Sequence, residues 1–309
     1  MASDKVKHVF GPVPSRRLGR SLGVDLVPYK TCTFDCIYCQ LGCTTDKTID
    51  RREWVPLGDL LEDVKAALVR EPDYVTLSGS GEPTLYARLG ELIAGIRSMT
   101  SVPVAVLTNG SLFWKPEVRK ELLQADLVVP SLDAGTERSY LQVNRPHSEV
   151  TFERLIEGLE AFGREYAGQL WLEVFLVDGI TATTEEVDQI VKIASRIGPD
   201  RVQLNTVVRP PAEVFARKVP QEKMNAFAKL FTPEAEVIVD YEGTYKESGF
   251  AGRSEDVLEL VKRRPVTVDD IVVGLGLHRN EVVKYVDKLV DSGQIVSEVR
   301  DDTVFYKAT

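Results

Sequence analysis

The sequence predicts an α/β protein: an open, partial (βα)6 barrel followed by a smaller module of different pattern. Between about residues 20 and 240, six short apolar runs alternate with amphipathic stretches of helical length. Such alternation implies a parallel sheet with helices on its outer face and right-handed crossovers. Six units are too few for a closed eight-stranded barrel, so the sheet stays open. After about Arg253 the alternation stops, which marks a second unit.

The strands and helices come in this order. Leu22 to Val27 reads as the first strand, leading into a cysteine-rich loop. Pro56 to Arg70 is a helix with Leu57, Leu60, Leu61, Val64, Ala67 and Leu68 on one face. Asp73 to Leu77 is a strand and Leu85 to Met99 a helix. Val102 to Leu107 is a strand, and Pro116 to Gln124 a helix with proline in its first turn. Leu127 to Val129, Leu170 to Leu176 and Arg201 to Leu204 are strands. Thr151 to Tyr166, Thr184 to Ile197 and Pro220 to Phe231 are helices, the second with a capping signature at Thr183 and Glu186.

The rest of the chain divides differently. Residues 1–240 form the barrel domain, 241–252 a linker rich in Gly, Glu and Lys, and 253–309 the second domain. Val257 to Arg263 and Val268 to Val273 are short helices, and Gly274-Leu275-Gly276 a turn. His278 to Ser292 is a third helix with Val282, Val283, Val286, Leu289 and Val290 inward. Gln294 to Arg300 and Thr303 to Tyr306 form a hairpin around Asp301-Asp302. The pattern resembles a winged helix-turn-helix.

Composition is that of a globular protein with a sizeable core: 43% hydrophobic and 28% charged residues. No apolar run approaches a membrane span, and the polar start of the chain has no export signal, so a cytoplasmic protein is expected. Net charge is −9, which argues against a broad nucleic-acid footprint. The third helix of the second domain balances Arg279, Lys284 and Lys288 against Glu281, Asp287 and Asp291. DNA binding is therefore not expected, because a duplex reader gathers positive charge. Docking of an RNA or a peptide, or a structural role, stays open. Arg16, Arg17 and Arg20 form a local basic group, either a solvated cluster or a site for a phosphate, a carboxylate or an acidic electron donor.

The chemistry-bearing loop is Thr31-Cys32-Thr33-Phe34-Asp35-Cys36-Ile37-Tyr38-Cys39. Three of the chain's four cysteines lie here, spaced C-x3-C-x2-C. Three thiolates on one loop can hold three irons of a [4Fe–4S] cube and leave the fourth without a protein ligand. An open position marks a catalytic metal site. Zinc would need a fourth ligand; Cys43 is near, but the spacing matches no common zinc site. Its other reading is a bystander thiol. A disulfide framework does not suit a long, cysteine-poor chain.

This loop resembles that of the radical S-adenosylmethionine (radical SAM) superfamily, in which Cys32, Cys36 and Cys39 would be the iron ligands and SAM would chelate the open iron. The superfamily core is itself a six-unit partial barrel. Ser78-Gly79-Ser80-Gly81-Glu82-Pro83-Thr84 resembles its glycine-glycine-glutamate-proline turn, with Ser80 for the first glycine. The resemblance implies that Gly79, Ser80, Gly81, Glu82 and Pro83 meet the SAM ammonium; alone, the segment is a strand–turn–helix. By the same resemblance Tyr38 lies beside the adenine, Asn109 ends a strand beside SAM, Ser131 and Asp133 contact its ribose or methionine part, and Asn205 its adenine. Asn109-Gly110 is otherwise a turn, and Ser131 and Asp133 otherwise cap the next segment of the chain. Asn144, Arg145 and Arg209 lie on loops at the same end and are candidates for the SAM carboxylate or a substrate.

Phe10 to Gly19 together with Cys36 to Gly42 looks like a subgroup of iron–sulfur oxidoreductases related to the enzymes that form the wyosine base of tRNA. The archaeal wyosine enzymes carry further cysteines nearer the N-terminus, and none precedes Cys32 here. The implied activity is reductive cleavage of SAM to a 5′-deoxyadenosyl radical that abstracts hydrogen from an unidentified substrate. A low-potential donor of flavodoxin or ferredoxin type would supply the electron. Two alternatives are modification of a tRNA or peptide docked by the winged helix, and a non-enzymatic iron–sulfur DNA regulator; the Gly79–Pro83 turn speaks against the last. Every candidate ligand precedes Phe215, so deleting Arg253 to Thr309 is expected to leave SAM cleavage detectable, while turnover of the true substrate falls if the module docks it.

Overall fold

A computed structural model describes residues 8–15, 17–239, 254–275, 277–300 and 303–309. Arg16, the linker at 241–252, Gly276 and the Asp301-Asp302 turn lie outside the described residues. In the first part of the chain come β1 (Val9–Ser15), β2 (Gly19–Val24), β3 (Thr31–Cys32), β4 (Asp46–Lys47), α1 (Leu57–Ala67), β5 (Tyr74–Leu77), α2 (Leu89–Met99), β6 (Val104–Thr108) and α3 (Pro116–Leu122). Next come β7 (Leu127–Pro130), α4 (Glu137–Val143), α5 (Phe152–Glu165), β8 (Gln169–Leu176), α6 (Thr184–Ile197), β9 (Arg201–Thr206), α7 (Gln221–Ala228) and β10 (Glu236–Val237). The last elements are α8 (Ser254–Arg263), α9 (Val268–Leu275), α10 (Arg279–Asp291), β11 (Ile295–Arg300) and β12 (Thr303–Ala308).

The architecture is α/β with a mostly parallel sheet, in the order β1-β2-β5-β6-β7-β8-β9-β10. The six expected strands run parallel as β2 and β5 to β9. Two edge strands were not expected: β1 pairs antiparallel with β2, and β10 parallel with β9. β1 contains Pro12 and Pro14, which an edge strand tolerates and a central strand does not. The helix at Leu85 starts later, at Leu89, after a 3-10 turn over Pro83–Leu85. α4 was also not foreseen; it is a helix of about two turns capped by Thr136.

Side chains alternate across the sheet as strand geometry requires. Leu22, Val24, Val75, Leu77, Val104, Val106, Val128, Leu172, Val174, Val202 and Leu204 join the helices in one large core. The opposite, inner face carries Ala105, Leu127, Val129 and Trp171 with Leu18 and Tyr74 at the amino ends of the strands. Leu18 arrives from the turn between β1 and β2, so the hairpin that carries the arginine group also plugs the sheet's inner face.

The terminal segment has its own core of Val257, Leu260, Val261, Ile271, Val272, Leu275, Val282, Val286 and Leu289, with Val13 of β1 packed against it. Its three helices and the antiparallel β11–β12 pair come in the expected order. Two details differ. α9 continues through Gly274 and Leu275, where a turn was expected. Val283 and Val290, expected inward, are each 38% exposed, because α10 buries only the narrow stripe Val282, Val286 and Leu289.

Candidate functional site at the carboxyl end of the sheet

The cysteine loop leaves β2 and folds back over the carboxyl ends of the strands. Backbone bonds fix it from two directions. Lys30 N–H donates to the Ser80 carbonyl (2.7 Å) and Glu82 N–H to that of Thr31 (3.1 Å), which ties the loop to the Gly79–Pro83 turn. Asp35 and Ile37 donate to Asn144 and Val143 (2.9 and 3.0 Å) at the end of α4. Phe34 and Ile37 are buried beneath the loop and anchor it.

Each of the three cysteines on this loop faces one side-chain N–H donor. Asn109 Nδ2 lies 3.6 Å from Cys32 Sγ, Asn144 Nδ2 3.5 Å from Cys36 Sγ, and Lys30 Nζ 3.2 Å from Cys39 Sγ. Asn109 Nδ2 also donates to Thr33 Oγ1 (2.8 Å). Burial pushes the Cys32 thiol up to about 12, with Glu82 adding to it. Burial likewise raises Cys36, helped by Asp133. Burial works against the Lys30 ammonium, but Cys39 and the other two thiols outweigh it and raise its pKa. The Lys30 charge at Cys32 and the Asn144 amide at Cys36 oppose this burial effect without cancelling it. Among the described residues, no three His, Cys, Asp or Glu groups converge to hold a single ion. Cys43 is exposed.

The turn after β5 is equally constrained. Gly79 has φ +122°, and a Cβ there would lie 1.8 Å from Asp25 Oδ1. A Cβ at Gly81 would lie 1.9 Å from the Thr31 carbonyl oxygen. Glycine is required at both by close approach. Ser80, the departure from two glycines, uses its side chain: its N–H (2.8 Å) and Oγ (3.1 Å) both donate to Asp25 Oδ1. Glu82 is buried. Its Oε1 accepts from Thr84 N–H (3.0 Å), Thr84 Oγ1 (2.6 Å) and Thr108 Oγ1 (2.5 Å), and its Oε2 accepts from Asn109 N–H (2.8 Å). Burial raises its pKa despite these donors. Oε2 has room for one further donor, since a carboxylate oxygen accepts about two bonds. Pro83 opens the 3-10 turn and is buried.

Asp133 organises the other side. Its Oδ2 accepts from Tyr38 Oη and from Asn144 Nδ2 (2.8 Å), and its Oδ1 from Phe175 N–H (3.1 Å). Burial pushes it up to about 6. Tyr38 stacks on Phe175 at 3.9 Å and 13°. Asp133 therefore holds Tyr38 and the Asn144 amide that faces Cys36. Ser131 is half-buried and bridges to Glu173. Deeper on the inner face, Glu173 Oε1 accepts from Arg17 Nη2 (2.7 Å) and Asn205 Nδ2 (2.9 Å), while Asn205 Oδ1 accepts from Thr206 N–H (3.0 Å). Arg145 and Arg209 pair elsewhere, with Glu213 (2.6 Å) and Asp270 (2.9 Å).

The candidate residues thus divide into the cysteine loop with Tyr38, Asn109, Asn144 and Asp133, the Gly79–Pro83 turn joined to it, and a deeper polar layer holding Asn205. Sequence reasoning missed Asp25, Lys30 and Glu173. Lys30 had one local signal, its place two residues before the first cysteine.

The family model of the radical SAM superfamily matches residues 26–194, more than half of the chain. The chain belongs to the radical SAM superfamily. Superfamily members are enzymes, and they use a [4Fe–4S] cluster and SAM. Over 98% of its length the chain is 39% identical to a protein named GTPase Obg from Brachyspira hyodysenteriae, but it spans only 45% of that protein. It is 32% identical to UPF0026 protein MJ1312 from Methanocaldococcus jannaschii, covering 96% of this chain and 94% of that one. Among solved structures, TYW1 with a lysine-pyruvate adduct bound superimposes with a TM-score of 0.55 at 21% identity, covering 70% of this chain and 74% of that chain. SuiB of Streptococcus suis bound to its precursor peptide SuiA superimposes at 0.53 and 17% identity, covering 68% and 46%. These two likenesses show a shared fold. Among the described residues no helix is long and apolar enough to cross a membrane.

Proposed function

We propose that this radical SAM enzyme holds a [4Fe–4S] cluster on Cys32, Cys36 and Cys39 and binds SAM against the Gly79–Pro83 turn. The observation that carries this reading is the set of three N–H donors, one to each sulfur, on a loop hydrogen-bonded to that turn. When bound and reduced, such a cluster supplies the electron that cleaves the SAM sulfonium to methionine and a 5′-deoxyadenosyl radical, which takes hydrogen from the substrate. This chain's residues would do the positioning. Glu82 Oε2 offers an acceptor to the SAM ammonium. Tyr38, fixed by Asp133 and Phe175, offers a flat apolar surface for the adenine, and Ser131 and Asn205 border the same inner face. Asn109, Asn144 and Lys30 each face one of the three sulfurs.

In this reading the six parallel units form a partial barrel. Residues 1–240 carry the chemistry, and 253–309 form a winged-helix domain. A low-potential flavodoxin- or ferredoxin-like donor supplies electrons, and three reduced thiols suit the cytoplasm. The substrate is a small molecule, or an RNA or peptide brought by the terminal domain.

Anaerobic reconstitution tests the reading. The protein should take up about four irons and four sulfides and form 5′-deoxyadenosine from SAM with a strong reductant. Alanine at Cys32, Cys36 or Cys39 should abolish both, and Cys43→Ala neither. Stable zinc with no iron uptake would overturn it.

A further inference from the structure

The terminal segment reaches the candidate site through Arg263, at the end of α8. Its guanidinium carbon lies 4.6 Å from the centre of the Phe10 ring and its Nη1 pairs with Asp25 Oδ2. Asp25 comes directly after β2. In this strand Leu22 and Val24, and Leu26 just beyond it, enter the helix-side core. Ser21, Gly23 and Asp25 therefore turn to the inner face. Ser21 Oγ indeed meets Thr76 Oγ1 of β5 (2.6 Å), and the Phe10 ring covers Gly23 where a Cβ would sit. Arg263 thus lies over the inner face beside the turn that Asp25 holds through Ser80.

The same segment grips the other edge of the sheet. Asp270 of α9 pairs with Arg209 (2.9 Å), and Arg300 of β11 donates to the Ala216 carbonyl (3.3 Å). Arg209 and Ala216 both lie in the connection after β9. β1–β2 and β9–β10 are the two ends of the strand order. One segment therefore contacts both ends of an open sheet.

We propose that residues 254–309 close the open side of the sheet, and that Arg263 is a positioning residue for SAM, acting through Asp25 on the Gly79–Ser80 backbone. The second half rests on the reading of that turn as a SAM site. Asp25 is only 7% exposed. A buried carboxylate that loses its cation is left uncompensated, and Asp25 would then be free to leave the Ser80 donors for water. In this proposal the terminal segment contributes to SAM binding although no candidate ligand lies within it.

The test uses full-length, cluster-loaded protein. Arg263→Met should weaken equilibrium SAM binding by roughly tenfold or more, which corresponds to about 1.4 kcal/mol. It should also speed amide hydrogen exchange at Ser80. Arg263→Lys should restore part of both. Lys262→Met, on the same helix with Glu259 as its partner (3.1 Å), should change neither. Pairing Arg263→Met with Asp25→Asn removes the stranded charge, keeps an acceptor for Ser80, and should recover part of the affinity and a stable fold. Unchanged affinity and exchange in Arg263→Met, or no recovery in the double variant, overturns the proposal. If wild-type protein binds no SAM, the reading of the turn has failed; exchange at Ser80 still tests the link from Arg263.

Discussion

The two ends of the sheet's inner face are built on opposite principles. At the amino ends, Leu18, Ala105, Leu127, Val129 and Trp171 form an apolar floor. At the carboxyl ends, Glu82 with Thr108 and Asn109, and Asp133 with Tyr38 and Asn144, form two largely buried polar groups. Apolar burial is non-directional and asks only for volume. A buried polar network stands or falls on each partner. The floor therefore supplies stability, and the mouth gives some up for fixed geometry. Substitutions at the two ends should separate these properties.

The largest effect should come from the floor. Trp171 is nearly buried and its ring lies under the Arg201 guanidinium at 4.7 Å. Trp171→Ala should cost about 3–5 kcal/mol, read by chemical denaturation. SAM affinity of the remaining folded protein should stay near wild type. A SAM-binding defect larger than the stability loss would break the division.

The mouth should show the reverse sign at neutral pH. Burial raises Asp133 from 3.8 to about 6, so the native state holds this proton more tightly than the unfolded chain. Its contribution is fully present below about pH 4 and is lost as pH rises through about 6. Above that, the ionised carboxylate costs up to about 3 kcal/mol, at roughly 1.4 kcal/mol per unit. Asp133→Asn removes the charge and keeps one acceptor oxygen, which can serve Phe175 N–H or Tyr38 Oη but not both. Its stability relative to wild type should therefore rise between about pH 4 and 7. Denaturation at both ends of that range checks it; a constant difference would mean that Asp133 is not strained by its charge.

This division also explains what was legible in the sequence. The helix-side face is written as period: Leu60, Val64 and Ala67 in α1, and Val187, Ile190 and Ile197 in α6, lie inward as their spacing demands. The cysteine loop and the Gly79–Pro83 turn were legible because backbone approach and thiol chemistry restrict residue choice locally. Asp25, Lys30 and Glu173 were not, because each is defined by a partner more than eight residues away. Asn144 and Arg209 were found as loop residues but without their partners. Asn144 serves Cys36 and Asp133, and Arg209 serves Asp270. β1 was not foreseen, because Pro12 and Pro14 are compatible with a strand only at a sheet edge.

Glu82 sharpens the comparison inside the mouth itself. Three of its four donors converge on Oε1, leaving Oε2 the freer oxygen. Glu82→Ala should weaken SAM binding by about 1.5–3 kcal/mol, the worth of a charge-assisted hydrogen bond. It also strands the Thr84, Thr108 and Asn109 donors, so stability should fall by about 1–3 kcal/mol as well. Isothermal titration with cluster-loaded protein and denaturation of the same sample separate the two. Unchanged SAM affinity would make Glu82 a purely structural carboxylate.

The smallest effect concerns Lys30, whose ammonium is the one cation among the three donors at the sulfurs (3.2 Å from Cys39). It is buried, yet the thiols keep its pKa raised, so it stays charged throughout the neutral range. A fixed positive charge beside a cluster favours the reduced, more negative state, and hydrogen bonds to the sulfurs act in the same direction. Lys30→Met keeps much of the apolar stem and removes the charge. The potential of the bound cluster should then fall by on the order of tens of millivolts, where about 59 mV is a tenfold change for one electron. Asn109 and Asn144 are neutral, so Asn109→Ala should shift it less. Redox titration followed by electron paramagnetic resonance reads both directly. A Lys30→Met potential equal to wild type would mean that solvent or the cluster's own charge screens the ammonium. The mouth would then owe its electrostatics to the two amides and its geometry alone.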